Sequence, residues 1–138
     1  MKLLNDFFDL ILIRITENKF HVEVELNPDH EIFLGHFPGK PVVPGVCMVQ
    51  MLKEVLTCYY NKEFTMKEAS QLKFLAILNP NEVKSLSIQF TVVKRENDCM
   101  VVTGTFQKDE LIYMKFKGTF VAIANEKRPM QSIKNLLE

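Results

Sequence analysis

Pro44-Gly45-Val46-Cys47-Met48-Val49-Gln50-Met51-Leu52-Lys53-Glu54-Val55-Leu56-Thr57-Cys58-Tyr59-Tyr60 is the one long segment of this chain with a helical repeat. Val46, Val49, Leu52, Leu56 and Tyr59 return at three- and four-residue spacing, which is the stripe of an amphipathic helix. Met48, Met51 and Val55 widen it until only Gln50, Lys53, Glu54 and Thr57 are left as a narrow polar face. A helix that is apolar around most of its circumference is expected to be surrounded. Pro44 suits its first turn, where a missing amide hydrogen costs nothing.

Outward from this helix the chain reads as strand. Phe20, Val22, Val24 and Leu26 alternate with His21, Glu23 and Glu25, the period of two of a strand with one buried face. The alternation returns at Leu86 to Val92, at Met100 to Phe106 and at Ile112 to Phe120. The connecting Glu96-Asn97-Asp98 and Lys108-Asp109-Glu110 are short and charged, as antiparallel hairpin turns are, so the second half is a meander. Phe7 to Ile15 fits a short helix or a first strand. One helix with about five or six antiparallel strands gives an α+β architecture, a curved sheet wrapped around a long central helix. The tail after Asn125, with Glu126-Lys127-Arg128-Pro129, is expected to be a surface extension ending in a short helical turn.

The 138 residues are 47% hydrophobic, enough for one core, so residues 1–138 are read as a single domain. Seventeen basic and seventeen acidic side chains cancel, which leaves no broad charge footprint for nucleic acid or an anionic membrane. Apolar runs such as Leu10 to Ile13 are too short to span a bilayer, and Asp6 and Asp9 interrupt any signal peptide, so the cytosol is the expected compartment. Cys47, Cys58 and Cys99 are odd in number and lack paired short spacing, which disfavours a disulfide framework and a zinc site. His21 and His30 have no second ligand at metal spacing. No metal and no cofactor are therefore expected.

Just before the helix, Gly35 to Val46 packs three prolines and three glycines into a loop whose backbone is restrained at some positions and free at others. His36 sits inside it, where a neutral imidazole can act as a general base. Gly45 lies at the helix N-terminus, where unpaired amide hydrogens and the positive end of the dipole can receive a developing oxyanion. A base beside an oxyanion site is what proton abstraction next to a carbonyl requires. The same loop also reads as a rigid connector.

The stretch Asp29-His30-Glu31-Ile32-Phe33-Leu34-Gly35-His36-Phe37-Pro38-Gly39-Lys40-Pro41-Val42-Val43-Pro44-Gly45-Val46 closely resembles the signature of bacterial (3R)-hydroxyacyl-(acyl carrier protein) dehydratases, a family with the hot-dog fold. Leu72-Lys73-Phe74 is a weaker echo of that family's lysine-phenylalanine strand. The resemblance implies a hot-dog fold, His36 as catalytic base, and the Gly45 amide as the group that holds the thioester carbonyl. It also implies an acyl path along Phe37, Pro38, Val46 and Cys47, and acyl carrier protein as the bearer of the substrate. Such dehydratases work as dimers, because the histidine of one subunit meets the helix acid of the other. A homodimer, a trimer of dimers or a mixed dimer with another dehydratase-like chain follows.

Where the family places a helix carboxylate, this chain has Gln50. An amide can orient the leaving hydroxyl but has no titratable proton to give. Glu54, one turn further along the same face, is read as a solvated glutamate beside Lys53, and Glu31 as loop surface charge. His21 reads as a solvated strand histidine, and His30 as a cap of the Pro28-Asp29-His30 turn. Cys47 reads as a small buried hydrophobe, although a thiol at a helix N-terminus is open to a lowered pKa. Three readings follow: a dehydratase converting 3-hydroxyacyl to trans-2-enoyl thioesters; a weak acyl-thioester-binding subunit of a mixed dehydratase dimer in specialised lipid or polyene synthesis; and a thioesterase, which the lack of a helix carboxylate disfavours.

Overall fold

A computed structural model describes residues 2–35 and 39–123 of the chain. The elements run β1 (Phe8–Thr16), β2 (Lys19–Leu26), α1 (Ile32–Gly35), α2 (Gly45–Tyr60), β3 (Phe64–Phe74), β4 (Ser85–Glu96), β5 (Cys99–Lys108) and β6 (Leu111–Ala122). The six strands form one antiparallel sheet in the order β1-β2-β4-β5-β6-β3. The ambiguous Phe7 to Ile15 run is thus an edge strand. Its burial alternates, with Phe8, Leu10 and Ile13 in the core.

The β4-β5-β6 meander turns at the expected segments Glu96-Asn97-Asp98 and Lys108-Asp109-Glu110. Asn97 and Asp109 take φ of 56° and 52°, the left-handed backbone that tight hairpins require and that Asn and Asp tolerate. Helix α2 ends in the same way: Asn61, at φ 57°, caps it by donating its amide hydrogen to the Thr57 carbonyl.

The helix lies on the inner face of the sheet. Its buried stripe is Cys47, Met48, Met51, Leu52, Val55 and Leu56, packed against Val22, Val24, Ile88, Val102, Phe106, Met114, Phe116 and Phe120 as part of one core. The expected stripe is therefore corrected in position. Val46 is 66% exposed and Val49 half-buried, so the helix is covered on one side rather than surrounded. Strand β3 alternates in burial only at its start, where Phe64 is buried and Met66 half-buried between exposed neighbours. From Lys67 to Phe74 both of its faces are largely open. The tail after Asn125 lies outside the described residues. Among the described residues no helix is long and apolar enough to cross a membrane.

Candidate active site at the start of α2

His36, Phe37 and Pro38 lie outside the described residues, so the site is built from what flanks them. On one side, helix α1 leads to Gly35. His30 caps its start, with Nδ1 accepting from the Ile32 amide at 3.1 Å and Nε2 held 3.0 Å from Asp6 Oδ2. Because Nδ1 accepts, the ring proton sits on Nε2 and faces the carboxylate. The Phe7 ring packs edge-on against this imidazole, centroids 5.3 Å apart. On the other side, Gly39 takes φ +83°, a conformation open to glycine and strained for other residues. Val43 then donates its amide to the Leu78 carbonyl at 2.9 Å, which brings the chain to Pro44.

Pro44 is the N-cap of α2 and offers no side-chain cap. The intrahelical bonds begin with the amides of Cys47 and Met48, both on the Pro44 carbonyl. Gly45 and Val46 therefore present the first helical amides, ahead of that ladder and at the positive end of the dipole. The Phe74 ring lies against this turn so closely that a Cβ on Gly45 would stand 2.5 Å from Cζ and 2.6 Å from Cε1. The fold thus brings together two separate motifs of the sequence, the Pro-Gly-Val helix start and the Lys73-Phe74 strand end. Phe74 is a site residue that local sequence pattern does not mark. Its one signal is the Leu72-Lys73-Phe74 echo.

Cys47 is wholly buried, and burial pushes its thiol up from the ordinary range rather than down. Val46, by contrast, is open at the helix surface.

Gln50 is half-buried one and a half turns beyond Gly45, on the order of 7 Å along the axis. Its Nε2 donates to Glu54 Oε2 at 2.8 Å. Glu54 is not the solvated glutamate expected. Its carboxylate accepts from the Leu3 amide at 2.8 and 3.0 Å and from the Leu4 amide at 2.6 Å. A side chain fifty residues away thereby ties the N-terminal segment to the helix, and no local pattern in the sequence announces such a contact. The same segment carries Asp6, the partner of His30, so Glu54, Asp6 and His30 form one chain of support leading to α1. A Glu54→Ala variant is expected to lose about 2 kcal/mol, since two backbone amides lose a charged acceptor. The shift in urea midpoint measures it, and an unchanged midpoint would contradict the assignment.

The His21 side chain is 42% exposed, as expected of a strand histidine with one wet face, and its Nε2 lies 3.5 Å from Glu23 Oε2, an oxygen that is itself buried. Glu31 is exposed. Among the described residues no group of three His, Cys, Asp or Glu side chains is placed to hold a metal ion.

Comparison with known proteins gives these features a family. Residues 12–112 match the ApeI-like family, described as ApeI dehydratase. A 3-hydroxyacyl-[acyl-carrier-protein] dehydratase FabZ of Pediococcus pentosaceus is 31% identical over 107 residues, 72% of this chain and 70% of that protein. The FabZ of Clostridium acetobutylicum is 33% identical over 73 residues, where the match spans about half of each protein, 48% of this chain and 52% of the relative. Among solved structures, the dehydratase heterocomplex ApeI:P from Xenorhabdus doucetiae aligns at TM-score 0.60 and 17% identity, over 77% of this chain and 89% of that one. A putative thioesterase from Ralstonia eutropha aligns at TM-score 0.57 and 17% identity, over 80% and 83%. At such identities the structures speak for the hot-dog fold alone. The family match and the Pediococcus relative go further: this chain belongs to the ApeI-like, 3-hydroxyacyl-(acyl carrier protein) dehydratase-like family.

Proposed function

We propose that this protein takes 3-hydroxyacyl thioesters carried on acyl carrier protein and removes water across C2 and C3 to give the trans-2-enoyl thioester. The observation that carries the reading is the start of α2, where Gly45 offers early helical amides beside the Phe74 ring in a chain of a dehydratase family. In the proposed reaction the thioester carbonyl accepts from the Gly45 amide, so charge arriving on its oxygen is stabilised by a fixed donor. His36 takes the C2 proton. The C2–H and C3–O bonds break, the C2–C3 double bond forms, and the hydroxyl, oriented by the Gln50 amide, leaves as water with a proton drawn from solvent, while the proton held on His36 returns to solvent. Val46 and Cys47, with Phe37 and Pro38, are proposed to border the acyl path.

The test is direct. Purified protein is incubated with 3-hydroxyacyl carrier protein and enoyl thioester is followed by mass, with His36→Ala as control. Loss of the base is expected to slow the reaction on the order of a hundredfold or more. Equal rates with and without His36 would remove the histidine from the mechanism.

Gln50 favours a second reading, in which the chain is a weak thioester-binding subunit and a dehydratase-like partner supplies the acid in a mixed dimer. The ApeI:P structure is by its name a heterocomplex, which supports considering this for a relative. The readings separate in one assay: the mixed reading predicts turnover only when the partner chain is added. A thioesterase reading predicts free thiol in place of enoyl product.

A further inference from the structure

Helix α1 is only four residues long, too short to stand by itself, so its place is set by what holds its start. Two side chains do so. Phe33 is buried against the Phe7 ring, centroids 5.5 Å apart. His30 accepts from the Ile32 amide through Nδ1, and its carbonyl accepts from the Phe33 amide at 3.1 Å. The residue that follows α1 in the chain is His36.

Capping a turn in this way does not call for histidine. Asn27 Oδ1 accepts from the Asp29 amide at 3.0 Å and Asn79 Oδ1 from the Asn81 amide at 2.9 Å, the same bond to the residue two further on, and asparagine is the ordinary side chain for it. A histidine at position 30 adds two things that asparagine lacks. One is reach. Its Nε2 extends to Asp6, 24 residues back, in the segment whose Leu3 and Leu4 amides bind Glu54 of α2. The other is a second proton. In the neutral ring Nδ1 accepts and Nε2 donates; a ring carrying both protons keeps its bond to Asp6 but turns an N–H toward the Ile32 amide, donor against donor. The side chain is 11% exposed and the Phe7 ring lies edge-on against it, so the imidazole is hindered from turning away. Of the charged groups about it, Asp6 contacts the ring, and Asp29 and Glu31 are its exposed neighbours in the chain.

We infer that His30 is a positioning residue for His36. Neutral, it ties α1 to the N-terminal segment and so fixes how the chain enters the loop that carries the base; doubly protonated, it releases the start of α1 and the placement of the base with it. The inference rests on the proposed role of His36, and one of its readouts needs no turnover, so the two fail separately.

The test uses the whole chain. His30→Ala removes the acceptor, while His30→Asn keeps an acceptor for the Ile32 amide and does not titrate. At neutral pH His30→Ala is expected to lose about thirtyfold in kcat/KM for enoyl formation, mostly in kcat, and His30→Asn to stay within about threefold of wild type. Toward acid, kcat/KM of the wild type should fall more steeply than one proton allows, because His30 and His36 must both be neutral, whereas His30→Asn should fall with the slope of a single proton. The proton magnetic resonance signal of the His36 ring, assigned by its loss in His36→Ala, reads the placement directly. It is expected to move in His30→Ala and to keep its wild-type position in His30→Asn. A wild type that forms no enoyl thioester would remove the dehydratase reading and leave this signal to decide the role of His30. The inference is overturned by a His30→Ala protein with wild-type rate and His36 signal, by a His30→Asn protein as impaired as His30→Ala, or by equal acid slopes in wild type and His30→Asn. If His30→Ala does not fold, the acid slopes and the His36 signals of wild type and His30→Asn decide.

Discussion

A Gln50→Glu variant is expected to dehydrate 3-hydroxyacyl thioester a hundredfold to ten-thousandfold faster than the wild-type chain, the range a positioned general acid contributes. The structure explains why the new carboxyl would be an acid and not merely a charge. Gln50 Nε2 now rests 2.8 Å from Glu54 Oε2, so a glutamate there would share that contact with an existing carboxylate. Glu54 accepts from the amides of Leu3 and Leu4, which fix its position. Two carboxyl groups in contact do not both ionise readily, so the pair created by the variant is expected to hold a proton between them. That is the state from which a proton can be handed to a departing hydroxyl.

Two consequences fix the sign with pH. The gain in rate fades as pH rises and the carboxyl at 50 ionises. A folded-state pKa raised above the unfolded value of roughly 4.3 gives stability that is present below that pH and lost as pH climbs through the folded pKa, so the variant should unfold more easily than wild type at neutral pH. Rates of enoyl formation across pH check the first, and thermal unfolding across pH checks the second. A variant as slow as wild type at every pH would mean that the missing acid is not what limits the chain.

The largest effect on stability is expected at Gly104, far from the chemistry. Gly104 of β5 pairs with Phe90 of β4 in the middle of the sheet, and a Cβ there would run into the Gln89 carbonyl oxygen and stand 2.7 Å from Phe90 Cα. Both are backbone atoms of a central strand, and Phe90 is itself locked by its stack on Phe20 at 4.6 Å and 8°. No rotamer change relieves such a contact, so Gly104→Ala should cost about 3 kcal/mol or more, a drop of roughly 10 °C in Tm. Gly118→Ala is the internal control. Its Cβ would approach the Glu68 carbonyl oxygen at 3.1 Å, on the edge strand, where the chain can yield. Equal Tm values for the two variants would contradict this account of the sheet centre.

The parts of the fold that could be read in the sequence are those where burial alternates cleanly. Phe20 to Leu26 and the three strands of the second half carry period two because each has one face on the helix and one in water. Strand β3 hides from that reading. Register shifts between Met66 and Glu68 and between Ala69 and Gln71 break the period, and its exposed faces impose no pattern of their own. The helix was legible as a helix but not in its facing, since Val46 is apolar yet exposed. Hydrophobicity marks what prefers to be covered and does not say by which chain. Glu54 was beyond reach for another reason. Its meaning lies in amides at Leu3 and Leu4, and a contact across fifty residues leaves no local trace. The approach of Phe74 to Gly45 was half legible, as two motifs whose adjacency only the sheet supplies.

Under the proposed function His36 removes the C2 proton readily, and the expulsion of water, which no acid at position 50 assists, is the slower half of the reaction. Solvent exchange separates the two. The wild-type protein is placed in heavy water with a 3-hydroxyacyl thioester on carrier protein, and deuterium at C2 is followed by mass alongside water loss. The account predicts deuterium entering C2 faster than enoyl thioester forms, with exchange abolished in His36→Ala and water loss catching up with exchange in Gln50→Glu. A wild-type protein that loses water without any excess of exchange, or that exchanges C2 equally well without His36, would contradict it.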